Sequence, residues 1–101
     1  MENSSEKFTV ELIVSNHYGV LNRITGLYAR RGYNIDSLYV NETENPEYSR
    51  MLISSKGGEY IQTQMVRQLS KLYDVQSVTL MVQISGKNGT RKEKNNGKNV
   101  L

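Results

Sequence analysis

The stretch Phe8-Thr9-Val10-Glu11-Leu12-Ile13-Val14-Ser15-Asn16-His17-Tyr18-Gly19-Val20-Leu21-Asn22-Arg23-Ile24 changes its hydrophobic period part-way along, and that change decides the fold. Up to Ser15 the residues alternate. Phe8, Val10, Leu12 and Val14 fall on one side and Thr9, Glu11, Ile13 and Ser15 on the other, which predicts a half-buried strand over 7–15. From Val20 the period lengthens: Val20, Leu21, Ile24, Leu27 and Tyr28 share one helical face, with Asn22, Arg23, Arg30 and Arg31 turned away. A helix over 20–31 follows, with Gly32 as the residue that ends it and Arg30 and Arg31 suited to its C-terminal dipole. Between strand and helix lies the sharp turn Asn16-His17-Tyr18-Gly19. Such a turn leaves the first helical N–H groups without partners, glycine admits close approach, and the macrodipole favours an anion. The carboxylate of an amino acid is one such anion.

Working outward, residues 34–42 read as a second strand through Ile35, Leu38 and Val40, and 41–47, with the single proline Pro46, as a hairpin turn. Residues 48–55 return as a third strand and Gly57-Gly58 breaks the pattern. Ile61, Met65, Leu69 and Leu72 give a helix over 59–73, and Val78, Leu80, Val82 and Ile84 a strand over 75–84. The order β-α-β-β-α-β is the ferredoxin-like α+β arrangement: a four-stranded antiparallel sheet with both helices on one face and strands one and three central. The second strand is an edge able to pair with its copy, and the open face is expected to expose Ile13, Tyr39 and Met81. A homodimer through edge strands is expected.

Charge is unevenly placed over the 101 residues. Residues 1–84 hold eight Lys/Arg against nine Asp/Glu, whereas residues 85–101 hold Lys87, Arg91, Lys92, Lys94 and Lys98 against Glu93 alone. That basic segment has no apolar residue before Val100, so residues 85–101 are expected to be a disordered tail following a domain over 1–84. A basic tail can touch nucleic acid or simply remain solvated. Cysteine is absent, which excludes disulfides and thiolate metal sites. Without an apolar run long enough for a membrane span or a signal core, a soluble cytoplasmic protein is expected.

The residues for catalysis are missing. His17 is the single histidine and has no acid within four positions; Asp36, Glu42, Glu44 and Glu47 flank a turn and complete no acid/base pair. No phosphate-binding glycine motif follows the first strand, and the central strands offer no pair of outward aromatics for stacking RNA bases. The turn remains. Asn16 can cap the helix or offer its amide to a ligand, Gly19 can serve only the turn, and Asn34 can satisfy loop backbone. Across a dimer axis joining second strands, the Asn16–Leu21 turn of one chain would meet the Asn34–Ile35 segment of the other, pairing N–H groups for a carboxylate with carbonyls for an ammonium.

The run Asn16-His17-Tyr18-Gly19-Val20-Leu21, with Gly26-Leu27-Tyr28-Ala29-Arg30-Arg31-Gly32-Tyr33-Asn34-Ile35-Asp36-Ser37-Leu38, resembles the ACT-domain regulatory (small) subunit of acetolactate synthase, short form. Tyr48-Ser49-Arg50-Met51 and Gln68-Leu69-Ser70-Lys71-Leu72-Tyr73-Asp74-Val75 extend the resemblance over about residues 7–82. It implies a non-catalytic dimer that binds and activates the large catalytic subunit and confers feedback inhibition by a branched-chain amino acid, valine foremost. It implies effector contacts at Asn16, Gly19, Val20, Asn34 and Ile35. Thiamine diphosphate, Mg and FAD are then expected on the catalytic partner and no cofactor in this chain. Tyr18 stands where ACT turns often have proline, implying a looser loop, and many family members carry a second domain after the ACT domain. The alternative function is a freestanding ACT-domain amino-acid sensor acting on another protein.

Overall fold

A computed structural model describes residues 6–83 and 90–95. The elements are β1 (Lys7–Ser15), α1 (Val20–Arg31), β2 (Ser37–Glu42), β3 (Tyr48–Lys56), α2 (Glu59–Ser70), β4 (Val75–Gln83) and β5 (Thr90–Asn95). They build one antiparallel sheet in the order β2-β3-β1-β4-β5. The first six elements are the expected ferredoxin-like βαββαβ arrangement with β1 and β3 inside.

The alternation in β1 fixes which face is covered. Phe8, Val10, Leu12 and Val14 are buried, as are Met51 and Ile53 of β3 and Val78 and Leu80 of β4. Register puts these side by side: Val10 opposite Ile53 and Leu80, Leu12 opposite Met51 and Val78. The helices close that face with Val20, Ile24, Leu27 and Tyr28 from α1 and Met65, Val66 and Leu69 from α2. Burying one such side chain is worth roughly 1.5–3 kcal/mol, so the core rather than helix propensity holds α1 in place.

Gly32 ends α1 at φ 73°, its N–H reaching the Ala29 carbonyl at 3.1 Å while Tyr33 N–H reaches Tyr28 at 2.9 Å. α2 stops at Ser70 rather than at 73. There Lys71 N–H bonds Gln68, Leu72 N–H bonds Leu69 and Val75 N–H bonds Leu72, three-residue spans that tighten the chain out of the helix. β2 begins at Ser37 rather than 34, so Asn34 and Ile35 lie in the loop before it.

The four expected strands form the ferredoxin-like sheet, and a fifth strand adds to its edge: β5, from within the 85–101 stretch expected to be a disordered tail, pairs along β4 from Val78↔Asn95 to Gln83↔Thr90. The compositional argument counted side-chain burial alone. An open strand edge also offers a row of backbone N–H and C=O groups, which a polar segment can satisfy without burying anything. Ile84, expected in β4, lies outside the described residues, as does the rest of the tail. On the open face Tyr39 is exposed as expected, whereas Ile13 and Met81 are only half-exposed. Ile13 lies opposite Arg50, whose guanidinium pairs with Glu11 at 2.9 Å, and Met81 lies opposite Lys92 of β5.

Candidate functional site

The turn between β1 and α1 is held by two separate parts of the chain. Its first anchor is Asn16, whose N–H bonds the Glu47 carbonyl at 2.9 Å. The side-chain amide of Asn16 donates to the Pro46 carbonyl at 2.7 Å, and its Oδ1 accepts the Ser49 hydroxyl at 2.5 Å. Asn16 therefore ties the turn to the β2–β3 hairpin and does not cap α1, which has no side-chain cap at all. The cap position belongs to Gly19 at φ 84°, ψ −4°, a left-handed conformation that costs any residue with a Cβ about 1–2 kcal/mol.

The second anchor is Asp74, just before β4. A register shift between Ile13 and Val14 in the β1–β4 pairing brings it beside the turn, where its carbonyl accepts Ser15 N–H at 2.8 Å. Its side chain is buried, accepting His17 Nδ1–H at 3.0 Å on one oxygen and a bond from the Arg23 guanidinium on the other. Arg23 holds the Asp74 carboxyl below the usual carboxylate range; burial opposes this, and the His17 bond adds to the lowering.

Past the turn, Val20 N–H reaches the His17 carbonyl at 3.3 Å and Arg23 N–H the Gly19 carbonyl at 2.9 Å. Among the described residues the N–H groups of Leu21 and Asn22 have no partner. The turn and Leu21 border an open depression of about 710 Å³, walled by Val14, Val20, Val40 and Met51 with Ser49 at its side. Unpaired N–H groups at a positive helix end beside aliphatic walls suit an amino acid with an apolar side chain.

Residues 10–77 match the family described as the AHAS small subunit-like ACT domain. The chain belongs to the AHAS small subunit-like ACT domain family. It is 40% identical over 79 residues to the probable acetolactate synthase small subunit of Archaeoglobus fulgidus, covering 78% of this chain and 50% of that one. It is 45% identical over 74 residues to the acetolactate synthase small subunit of Bacillus subtilis, covering 72% and 43%. Among solved structures, the acetolactate synthase small subunit of Thermotoga maritima superposes with a TM-score of 0.67 at 39% identity, over 71% of this chain and 45% of that one. The chain spans about half the length, or less, of these relatives.

Of the residues expected at the site, this ACT domain brings Asn16 and Val20 together at the depression, with Gly19 forming the turn between them. Val20 is buried in the core and presents only its edge. Asn34 and Ile35 lie beyond the other end of α1, about 18 Å away at 1.5 Å of rise per residue over its 12 residues. Ile35 packs against the core and Asn34 is exposed. Sequence reasoning did not find Ser49, Val40 and Met51 as neighbours of the turn, nor Asp74 as its anchor. One signal was available: Arg23 stands in the first turn of α1, where a cation opposes the dipole and no acid accompanies it, so a carboxylate from elsewhere was needed.

Proposed function

We propose that this chain is a non-catalytic regulatory subunit of acetolactate synthase that activates the large catalytic subunit and makes it sensitive to a branched-chain amino acid, valine foremost. The observation that most supports the ligand is the pair of unpaired N–H groups at Leu21 and Asn22 beside a depression walled by Val14, Val20, Val40 and Met51. The partner is supported by the names of the relatives, which are small subunits of that synthase. In this reading the carboxylate sits at the start of α1 and the aliphatic side chain against the valines and Met51. The ammonium meets the Asn34–Ile35 segment of a second copy paired through β2, and thiamine diphosphate, Mg and FAD belong to the catalytic subunit.

Calorimetric titration with valine, leucine and isoleucine, with glycine as control, tests the ligand. One branched-chain amino acid should bind, and Gly19→Asp should abolish that binding by placing a negative charge and a strained backbone at the anion position. Unchanged affinity in Gly19→Asp would remove the turn from the site. Reconstitution with the catalytic subunit tests the partner: binding of the amino acid with no change in the synthase rate would favour a freestanding sensor.

A further inference from the structure

Helix α1 lacks both of the local devices that usually fix a helix start, a side-chain cap and an acid in the first turn. Gly19 supplies neither, and with no side chain it adds no constraint of its own to the turn. Arg23 then adds a positive charge at the end of the helix already positive from its dipole. The missing negative charge comes from Asp74, 57 residues beyond His17 and 51 beyond Arg23 in the chain. Its carboxylate is buried although its two partners are largely exposed, so it is the fixed member of the cluster and they are held to it. Together with the Ser15 N–H on the Asp74 carbonyl, this gives three bonds spanning the end of β1, the turn and the first turn of α1.

We propose that Asp74 is a positioning residue for the amino-acid site: by gripping His17 and Arg23 it holds the Leu21 and Asn22 N–H groups in the arrangement that receives the carboxylate. It touches no ligand itself. The effect on affinity rests on the function proposed above; the effect on the turn does not. A preorganised site avoids the ordering cost that a mobile turn would impose at each binding event.

The test uses Asp74→Asn, which keeps shape and backbone carbonyl but removes the charge, and Arg23→Gln, an exposed change that spares the fold if the first variant does not. Both are studied well below their melting temperatures, where lost stability alone leaves the folded population and the valine Kd unchanged. Backbone amide order parameters at Leu21 and Asn22 in the ligand-free protein should fall from about 0.85 in the parent to below about 0.6 in either variant. Valine affinity should weaken tenfold or more in both, and the double variant should lose no more than the worse single one. Unchanged order parameters in both variants would overturn the proposal. If the parent protein binds none of the branched-chain amino acids, the functional reading fails by itself, and the order parameters still decide whether Asp74 sets the turn.

Discussion

Asp74 shows how one buried carboxylate can govern a segment far from it in sequence. Its folded-state ionisation lies below the ordinary carboxylate value near 4, chiefly because Arg23 donates to it, with burial opposing and His17 assisting. The unfolded chain then binds the proton more readily than the folded one. The charge contributes stability at pH values above the unfolded value, and that contribution is lost as pH falls through the carboxylate range and below the folded value. Asp74→Asn is therefore expected to be less stable than the parent at pH 7, with the gap closing progressively below about pH 4. Urea unfolding of both proteins from pH 7 to pH 3 measures it, and a gap independent of pH would assign the effect of Asp74 to shape rather than charge. The sequence hides this residue because nothing local marks it; only the misplaced Arg23 points to an acid. Gly19 and Gly32, by contrast, were legible, because a period change on one side and an arginine pair on the other leave a turn and a helix end as the only readings.

Among the elements, α1, β1 and the central placement of β3 were readable because burial on one face imposes a period that polar substitutions would break. β5 was not, since Thr90-Arg91-Lys92-Glu93-Lys94-Asn95 carries no apolar period and its pairing along β4 runs through the backbone. The start of β2 was set too early because Ile35 is apolar for packing beside the sheet, not for membership of it. The packing of α1 on β3 holds one further feature of consequence. Tyr28 and Ser55 bring their hydroxyls together in the core, yet neither achieves a hydrogen bond of good geometry. Burial pushes the Tyr28 phenol well above its usual range. A buried hydroxyl without a good partner costs about 1–3 kcal/mol. Tyr28→Phe keeps the ring in the core and removes that cost, so it is expected to be at least as stable as the parent, by up to about 1 kcal/mol. Denaturant midpoints with an unchanged m-value decide the matter; a loss of more than about 1.5 kcal/mol would show that the two hydroxyls do bond.

At the scale of the whole molecule, the proposed site is split. The turn at Asn16–Leu21 and the segment at Asn34–Ile35 sit at opposite ends of α1, so one chain cannot bring both to one ligand. A second copy paired through β2 can, because antiparallel pairing of two identical edges sets the start of one chain's strand beside the end of the other's. β2 is suited to this. It is an outer strand of the sheet, and its Tyr39 and Val40 are 62% and 51% exposed. β4, the other edge of the expected four-stranded sheet, is covered by β5. Ser54 turns its carbonyl toward β2, where it accepts the Asp36 N–H, so in the register Ser37↔Ser54 and Tyr39↔Leu52 the N–H of Tyr39 faces β3 and by alternation that of Val40 points outward to the free edge. Val40→Pro removes that outward donor and no bond to β3. The variant is expected to sediment as a monomer with the circular dichroism of a folded domain. The parent itself should lose affinity on dilution to the concentration at which its dimer dissociates. A Val40→Pro protein that stays dimeric would exclude pairing through β2, and a parent whose valine affinity holds on dilution below dimer dissociation would place the complete site within a single chain.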